Sequence, residues 1–322
     1  MTGCGLNSHA AVGPTHTSTS GSDSDVTAER QRLAMSIEQL RRERDELQRQ
    51  ATAPSTKPAG TPPKDRSAAP PQASAQLAPA TGISESFTEL SGRLGGSIGL
   101  AYAPLGLGKP AKSLGDLREG VGWSTMKIPV AIATVKLAKG HPSQDTLRLM
   151  RLAITQSDND AAMELWSQLG SPTAAAAQTQ AVLREGGDTT TVVPSERLRP
   201  GYTPFGQSNW SLAAQATFAA SLPCMANTGQ VLELMGQVTP SQSWGIGAIT
   251  ATVAFKGGWG PGRDGAYLVR QMAVVRLADG SRIGLAIAAR PADGRFDTGV
   301  ADLNALAGWV ASNIRTGGAN RC

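Results

Sequence analysis

The sequence predicts an α+β fold, in which an antiparallel sheet is flanked by helices and accompanied by a reduced helical lobe. One strand-like run, S-I-G-L-A-Y-A at 97–103, precedes a helical middle, and short β-rich runs follow residue 251. Two of these late runs, Y-L-V-R-Q-M-A-V-V-R-L and R-I-G-L-A-I-A-A, are joined by a tight turn at Asp279-Gly280. Because so short a turn reverses the chain, we expect the strands to pair antiparallel.

The middle of the chain is rich in alanine and in apolar residues at helical spacing. We expect a final amphipathic helix at 300–314, with Leu303, Leu306, Val310 and Ile314 on one face. The earlier helices are predicted at 125–139, in two stretches within 145–169, at 172–185 and at 209–222.

The first 81 residues differ in composition from the rest of the chain. Polar residues open it, apolar residues at heptad spacing follow, and then comes a stretch dominated by Pro and Ala. The predicted domains begin with a disordered tether with a possible lipidation site (1–25), a helical stalk or short coiled coil (26–51) and a linker (52–81). The globular domain (82–315) and a tail (316–322) follow. The stalk is expected to self-associate weakly through 26–49.

Composition excludes several classes of function. The net charge of +5 is mild and no long basic run occurs, so nucleic acid is not an expected partner. No run of 18 apolar residues is present, so the body is not expected to span a membrane. Three scattered histidines do not suggest a zinc site, and we expect neither a metal nor a cofactor.

The three cysteines bear on localisation. Cys4, in M-T-G-C-G, resembles the lipidated cysteine of a bacterial lipoprotein signal, and an ordinary residue in a disordered tail is the alternative. The first reading predicts a protein anchored by lipid on the outer face of the cytoplasmic membrane, and a secreted form is the alternative. In an oxidising compartment Cys224 and Cys322 would pair, whereas otherwise both would remain thiols.

Three short motifs could carry chemistry. Ser124 and Lys127 are three positions apart at a helix start, where a hydroxyl and an amine can share a proton. The triplet Ser157-Asp158-Asn159 follows in the helical middle, and Lys256-Gly257-Gly258 ends a β-rich run. The first motif is common by chance, so the prediction rests on the three motifs in this order.

These motifs resemble those of the serine β-lactamases and penicillin-binding proteins. The stretch L-M-R-L-A-I-T-Q-S-D-N-D-A-A-M-E-L-W-S-Q-L-G-S-P at 149–172 is similar to the corresponding class A β-lactamase segment, and the resemblance covers roughly 95–315. It implies a β-lactamase/D,D-peptidase-like fold. It also implies site roles: Ser124 as acylated nucleophile, Lys127 as its base, Ser157 as proton relay, Asn159 and Lys256 as substrate ligands, and the N–H groups of Ser124 and Trp259, beside Gly258, as oxyanion hole.

The chain departs from that family around the cleft. Ser157 lies only 33 positions after Ser124, which implies a deletion around 139–143 and a more open site. The third motif is K-G-G, which lacks the hydroxyl of K-T-G or K-S-G and so loses one hydrogen bond to a substrate carboxylate, roughly 1 to 3 kcal/mol. Glu196 is the candidate deacylation base, although a surface carboxylate paired with Arg199 is the alternative.

Three further features near the third motif have less specific readings. The run W-G-P-G-R-D-G at 259–265 is expected to form a turn. Arg263 and Arg270 either strengthen the positive field around a substrate carboxylate or are ordinary solvated arginines.

The sequence therefore predicts an exported serine hydrolase that forms an acyl-enzyme on Ser124 with a β-lactam or a cell-wall peptide. The alternative is a catalytically weak or inactive binding protein of the same fold at the cell surface.

Overall fold

The computed structural model describes residues 82–249, 253–316 and 322. The predictions for the tether, the stalk, the linker and Cys4 lie outside these residues. The described strands are β1 (Gly96–Pro104), β2 (Lys112–Gly115), β3 (Glu119–Val121), β4 (Asn209–Ser211), β5 (Val253–Pro261), β6 (Tyr267–Arg276) and β7 (Arg282–Pro291). The described α-helices are α1 (Ile83–Leu94), α2 (Lys127–Leu137), α3 (Gln144–Thr155), α4 (Asn159–Gln168), α5 (Pro172–Glu185), α6 (Leu212–Ser221), α7 (Gly229–Met235) and α8 (Phe296–Asn313).

Five strands form the main sheet, in the order β2-β1-β7-β6-β5, and every neighbouring pair is antiparallel. Alternation along β7 separates its two faces: Leu285 and Ile287 pack towards α1 and α8, whereas Ala286 and Ala288 pack towards α6. The strands β3 and β4 pair separately as a short ribbon. Strand β5 is therefore left at one edge of the sheet, where its two faces meet different surroundings.

The helical lobe is built around α2. Its first nine residues are all buried, which fits a helix that is apolar on every side and enclosed by others. The surrounding helices begin at residues whose side chains accept a backbone N–H: Ser143 before α3, Asp158 before α4 and Ser171 before α5. These caps fix where each helix starts, and the start of α4 becomes part of the site described below.

The predicted fold class is confirmed, and most predicted elements are present. The predicted helix at 172–185 coincides with α5, and the stretch at 145–169 divides into α3 and α4. Prediction missed α1, α7 and the short strands β2, β3 and β4. The three strands and the seven-residue α7 are too short to carry much periodic signal. The 12 residues of α1 include only two buried ones, Phe87 and Leu90, so its apolar face is narrow. Residues 209–211, predicted as helix, form β4 because Ser211 caps α6 from outside the helix.

The turn predicted at 259–265 is partly wrong. Strand β5 stays paired with β6 as far as Pro261 opposite Tyr267, so Trp259 lies within the sheet. The turn begins at Gly262, whose N–H donates to the carbonyl of Ala266 (2.7 Å). This extension places the indole of Trp259 on a rigid strand rather than on a loop.

Cys224 and Cys322 are joined by a disulfide bond, with Cα atoms 5.2 Å apart. The bond links the end of the helical lobe to the last residue of the chain. Of the helices in the described part of the chain, none is both long and apolar enough to cross a membrane.

Candidate active site

Ser124 lies in a 3₁₀ turn, Trp123–Met126, that runs directly into α2. In a 3₁₀ turn the side chains at positions i and i+3 are nearly eclipsed, so Ser124 and Lys127 lie on the same side of the helix start. Trp123, just before the serine, has a left-handed φ of 49°. Pro129 falls within the first turn of α2, where an N–H has no helical partner, so the proline does not break the helix.

Lys127 is only 1% exposed and is held by polar atoms of the S-D-N segment. Its Nζ donates to the carbonyl oxygen of Ser157 and to Asn159 Oδ1 (2.8 Å), and lies 3.4 Å from Ser157 Oγ. Burial lowers the pKa of Lys127 to about 7, against the opposing charge of Asp158. With a pKa of about 7, a large part of Lys127 is neutral at pH 7, and a neutral amine has a lone pair that can accept a hydroxyl proton.

Lys256, on strand β5, also contacts Ser157. Its side chain is fully buried, and its Nζ donates to Ser157 Oγ (2.9 Å) and to the carbonyl of Gly257 (3.0 Å). Burial, and secondly the positive charge of Lys127, hold the pKa of Lys256 well below its usual value of 10.5. Ser157 Oγ therefore lies between two desolvated amines, which is an arrangement suited to passing a proton.

The S-D-N segment owes its shape to the join between α3 and α4. Asp158 caps α4 by accepting the N–H of Ala161 (2.7 Å). Ser157 has a φ of 61°, a left-handed conformation that is unfavourable for serine. The hydrogen bond from Lys127 to the Ser157 carbonyl helps to hold this strained residue in place, as is common at functional sites.

Strand β5 approaches the nucleophile turn so closely that one position requires glycine. A Cβ added to Gly258 would lie 2.9 Å from the backbone nitrogen of Ser124 and 3.0 Å from the carbonyl oxygen of Gly122. Any side chain there would push the strand away from the serine. Gly258 thus sets the spacing between the turn and the strand that continues to Trp259.

Gly257 lacks the hydroxyl that the resemblance leads one to expect, and an indole occupies the adjoining space. A Cβ added to Gly257 would lie 3.1 Å from the ring of Trp244 and 3.8 Å from that of Trp259. The K-G-G motif therefore differs from K-T-G or K-S-G by more than a missing hydroxyl group. It brings an aromatic surface next to Lys256, which the sequence did not indicate.

Glu196 is not connected to this cluster by any hydrogen bond or ion pair among the described residues. Its side chain is exposed. Arg199 does not pair with it either: its guanidinium donates to the carbonyl of Pro261 (2.8 Å) and stacks on Tyr202, 4.5 Å from the ring centroid. The structure thus brings Ser124, Lys127, Ser157, Asn159 and Lys256 together and leaves Glu196 on the surface.

Arg270 is not the ordinary solvated arginine that was one of its two readings, because its side chain is buried. It is fully buried and donates to the carbonyls of Gly120 (2.8 Å) and Trp210 (3.2 Å) and to Gln215 Oε1 (2.6 Å). Gln215 in turn donates to Thr125 Oγ1 (2.9 Å), the residue after Ser124. This network supports the turn that carries Ser124, and its only signal in the sequence was a polar pair, Arg270-Gln271, within an otherwise apolar strand.

Across residues 82–249, 253–316 and 322, no three His, Cys, Asp or Glu side chains are grouped as metal ligands. The cluster itself contains two lysines of lowered pKa and a hydroxyl that bridges them, which is a set of groups able to move a proton.

No protein-family model and no curated protein matches this sequence. Solved structures do match. A β-lactamase from Burkholderia vietnamiensis has a TM-score of 0.56 at 20% identity, covering 72% of this chain and 96% of that one. The TLA-3 extended-spectrum β-lactamase has a TM-score of 0.59 at 13% identity, with 71% and 97% covered.

A third match is a variant of the class A β-lactamase of the last common ancestor of Gram-negative bacteria. Its TM-score is 0.51 at 23% identity, and 72% of this chain and 99% of that one are covered. At these identities the likeness concerns the course of the backbone. The globular body of this chain therefore has the fold of the class A β-lactamases.

Proposed function

We propose that the protein is a serine hydrolase of the β-lactamase/D,D-peptidase type, which forms an acyl-enzyme on Ser124 with a β-lactam or a peptidoglycan-type peptide. The observation that carries this proposal is Ser157 Oγ lying between the buried amines of Lys127 and Lys256, with Lys127 at the start of α2, three residues after Ser124. Two neighbouring buried lysines without an acidic hydrogen-bond partner are costly for a fold to maintain. A role in proton transfer to and from a nucleophile explains why two buried lysines are kept at this position.

The proposed acylation proceeds in two proton steps. Neutral Lys127 accepts the proton of Ser124 as its Oγ bonds to the substrate carbonyl carbon. The N–H groups of Ser124 and Trp259 stabilise the oxyanion, helped by the positive end of the α2 dipole. As the C–N bond breaks, Ser157 passes its own proton to the leaving nitrogen and is reprotonated by Lys127, while Asn159 contacts a substrate amide.

Deacylation is proposed to be slow. Glu196 is the residue proposed to activate water, yet it is exposed and makes no hydrogen bond within the described residues. A carboxylate that is not held in place positions water poorly. We therefore expect the acyl-enzyme to accumulate.

Export is proposed on the disulfide between Cys224 and Cys322, since such bonds persist in oxidising compartments. Attachment through a lipid on Cys4 is the proposed means of keeping the protein at the membrane.

A fluorescent penicillin tests the nucleophile. We expect a covalent adduct, found on Ser124 by peptide mass spectrometry, that Ser124→Ala removes and Ser312→Ala, on the exposed side of α8, retains. No adduct at millimolar penicillin on folded protein would count against the acyl-enzyme. Chasing the adduct of Glu196→Gln then tests the base: a decay rate equal to that of the wild type would remove Glu196 from the mechanism.

A further inference from the structure

Four aromatic rings form a partly exposed surface beside the third motif, here called the aromatic face: Trp244, Trp259, Tyr267 and Phe296. Trp244 and Trp259 meet edge to face with centroids 5.8 Å apart, and Phe296 lies 5.5 Å from Trp259 and 5.9 Å from Tyr267. All four side chains are half-buried. Each ring is therefore fixed by its neighbours while part of it stays open to solvent.

The aromatic face begins one residue after Lys256. Side chains alternate along a strand, so Lys256 and Gly258 lie on the face of β5 that meets Ser157 and Ser124, while Gly257 and Trp259 lie on the other. Because β5 is an edge strand, a substrate held at Ser124 can extend past Gly257 onto the second face. Nothing but the hydrogens of Gly257 separates the backbone there from the ring of Trp244.

The polar residue beneath the aromatic face is already committed. Gln271 pairs with Gly257 in the sheet and is fully buried. Its Nε2 donates to the carbonyl of Trp244 (2.7 Å), and its Oε1 accepts the N–H of Ile246 (2.8 Å). The oxygen and one of the two N–H groups of this amide therefore hold the segment that carries Trp244.

Positive charge on this side is sparse as well. Lys256 turns its amine to the opposite face, where burial lowers its pKa. Arg270 is committed to backbone carbonyls and Gln215. Arg295 lies 4.0 Å from Asp297, and Arg263 is exposed in the turn after β5. A carboxylate placed against the indoles would lose water without gaining a buried cation.

We propose that Trp244 and Trp259 form a subsite, on the leaving-group side of Ser124, for an uncharged group that carries a ring. The acyl donor that fits has its carboxylate masked as an ester or amide, as at an internal peptide bond, rather than free. This inference rests on the proposed function of Ser124. Rings that stack on half-desolvated indoles gain contact area without the cost of removing a charge from water.

A matched pair of compounds tests the subsite: benzylpenicillin and its benzyl ester, which share one β-lactam and differ in the carboxylate. The rate of adduct formation on Ser124 is followed by intact mass spectrometry at equal concentrations. In the wild type we expect the ester to react about tenfold faster than the free acid. Trp244→Ala should remove most of this preference by slowing the ester alone, and Trp244→Phe should retain most of it.

Three outcomes would overturn the proposal. The first is a faster reaction of the free acid in the wild type. The second is a Trp244→Ala variant that slows both compounds by the same factor, as a purely structural role would. The third is an Arg263→Ala variant that slows the free acid while Trp244→Ala leaves the ratio unchanged. No adduct from either compound would instead overturn the proposed function, and this inference with it. Thermal unfolding of each variant establishes that only folded protein is compared.

Discussion

Lys256 on β5 and Arg270 on β6 are both fully buried, and they lie on the same face of the sheet, two residues apart in register. Neither has an acidic hydrogen-bond partner within the described residues. Arg270 has its donors saturated by carbonyl oxygens and Gln215, and burial lowers its pKa only to about 9, so it is charged at neutral pH. Lys256 has fewer acceptors and a second lysine nearby.

The differences in hydrogen bonding and in pKa indicate a different role for each of the two cations. A guanidinium can donate to several fixed carbonyls at once and does not readily lose its proton. These properties suit a residue that holds neighbouring elements together. An amine with few acceptors in a dry site has a lowered pKa and can take part in proton transfer. If this comparison is right, removing Lys256 should damage chemistry and spare stability, whereas removing Arg270 should do the reverse.

The largest effect is expected from Lys256→Met. Acylation of Ser124 should slow about a thousandfold, because Ser157 loses the amine that orients its hydroxyl. The free energy of unfolding should change by less than about 1 kcal/mol, or increase, since methionine fills similar space without a charge to desolvate. Stopped acylation assays and urea denaturation measure the two quantities.

Lys112→Met, at an exposed position on β2, is the matched control and should leave both quantities unchanged. A Lys256→Met protein that loses several kcal/mol of stability and keeps its acylation rate would make Lys256 a structural residue like Arg270.

Arg270→Met should show the opposite pattern. The carbonyls of Gly120, Val121 and Trp210 and the Oε1 of Gln215 would lose their donor in a dry interior. The free energy of unfolding is expected to fall by about 3 kcal/mol. The decrease should be smaller in Arg270→Lys, which keeps the charge but not the planar guanidinium.

Arg263→Met, in the exposed turn after β5, is the control and should stay within about 0.5 kcal/mol of the wild type. Acylation per folded molecule of Arg270→Met should fall less than tenfold, through loosening of Gln215 and Thr125 alone. If the free energy of unfolding of Arg270→Met equals that of the wild type, the structural role that we assign to Arg270 is wrong.

The contrast also shows what could be predicted from the sequence. Lys256 was found because a motif marks it, and Ser124, Lys127 and Ser157 were found in the same way. Arg270 was misread because burial of a charged residue depends on acceptors from β3, β4 and α6, which are far apart in the sequence. Trp244 was missed for the same reason, since its place beside Gly257 follows from how the chain returns to β5.

The fold was more predictable than the site because it depends on many residues. Alternation along β7 and helical spacing in α8 each repeat over several turns or residues, so single exceptions do not hide them. Whether Glu196 reaches the cluster depends instead on the path of one loop, which no periodic pattern encodes.

The smallest effect concerns Asp158, an acidic side chain whose charge raises the pKa of Lys127. Because the pKa of Lys127 is about 7, acylation should fall about tenfold for each pH unit below that value, as the neutral amine becomes scarce. The same pKa lies below that of the unfolded chain, near 10.5, so the unfolded state binds more protons between pH 7 and 10.5 and stability rises with pH across that window.

Asp158→Asn removes the charge that raises the pKa of Lys127 while keeping an oxygen that can cap α4. The rising limb of the acylation profile should therefore move to lower pH, and the rate at pH 6 should increase severalfold. Asp160→Asn, an exposed residue in the same helical turn, is the control and should leave the profile in place. A shift to higher pH in Asp158→Asn would mean that Lys127 is not the group that titrates, because loss of a neighbouring negative charge cannot raise the pKa of an amine.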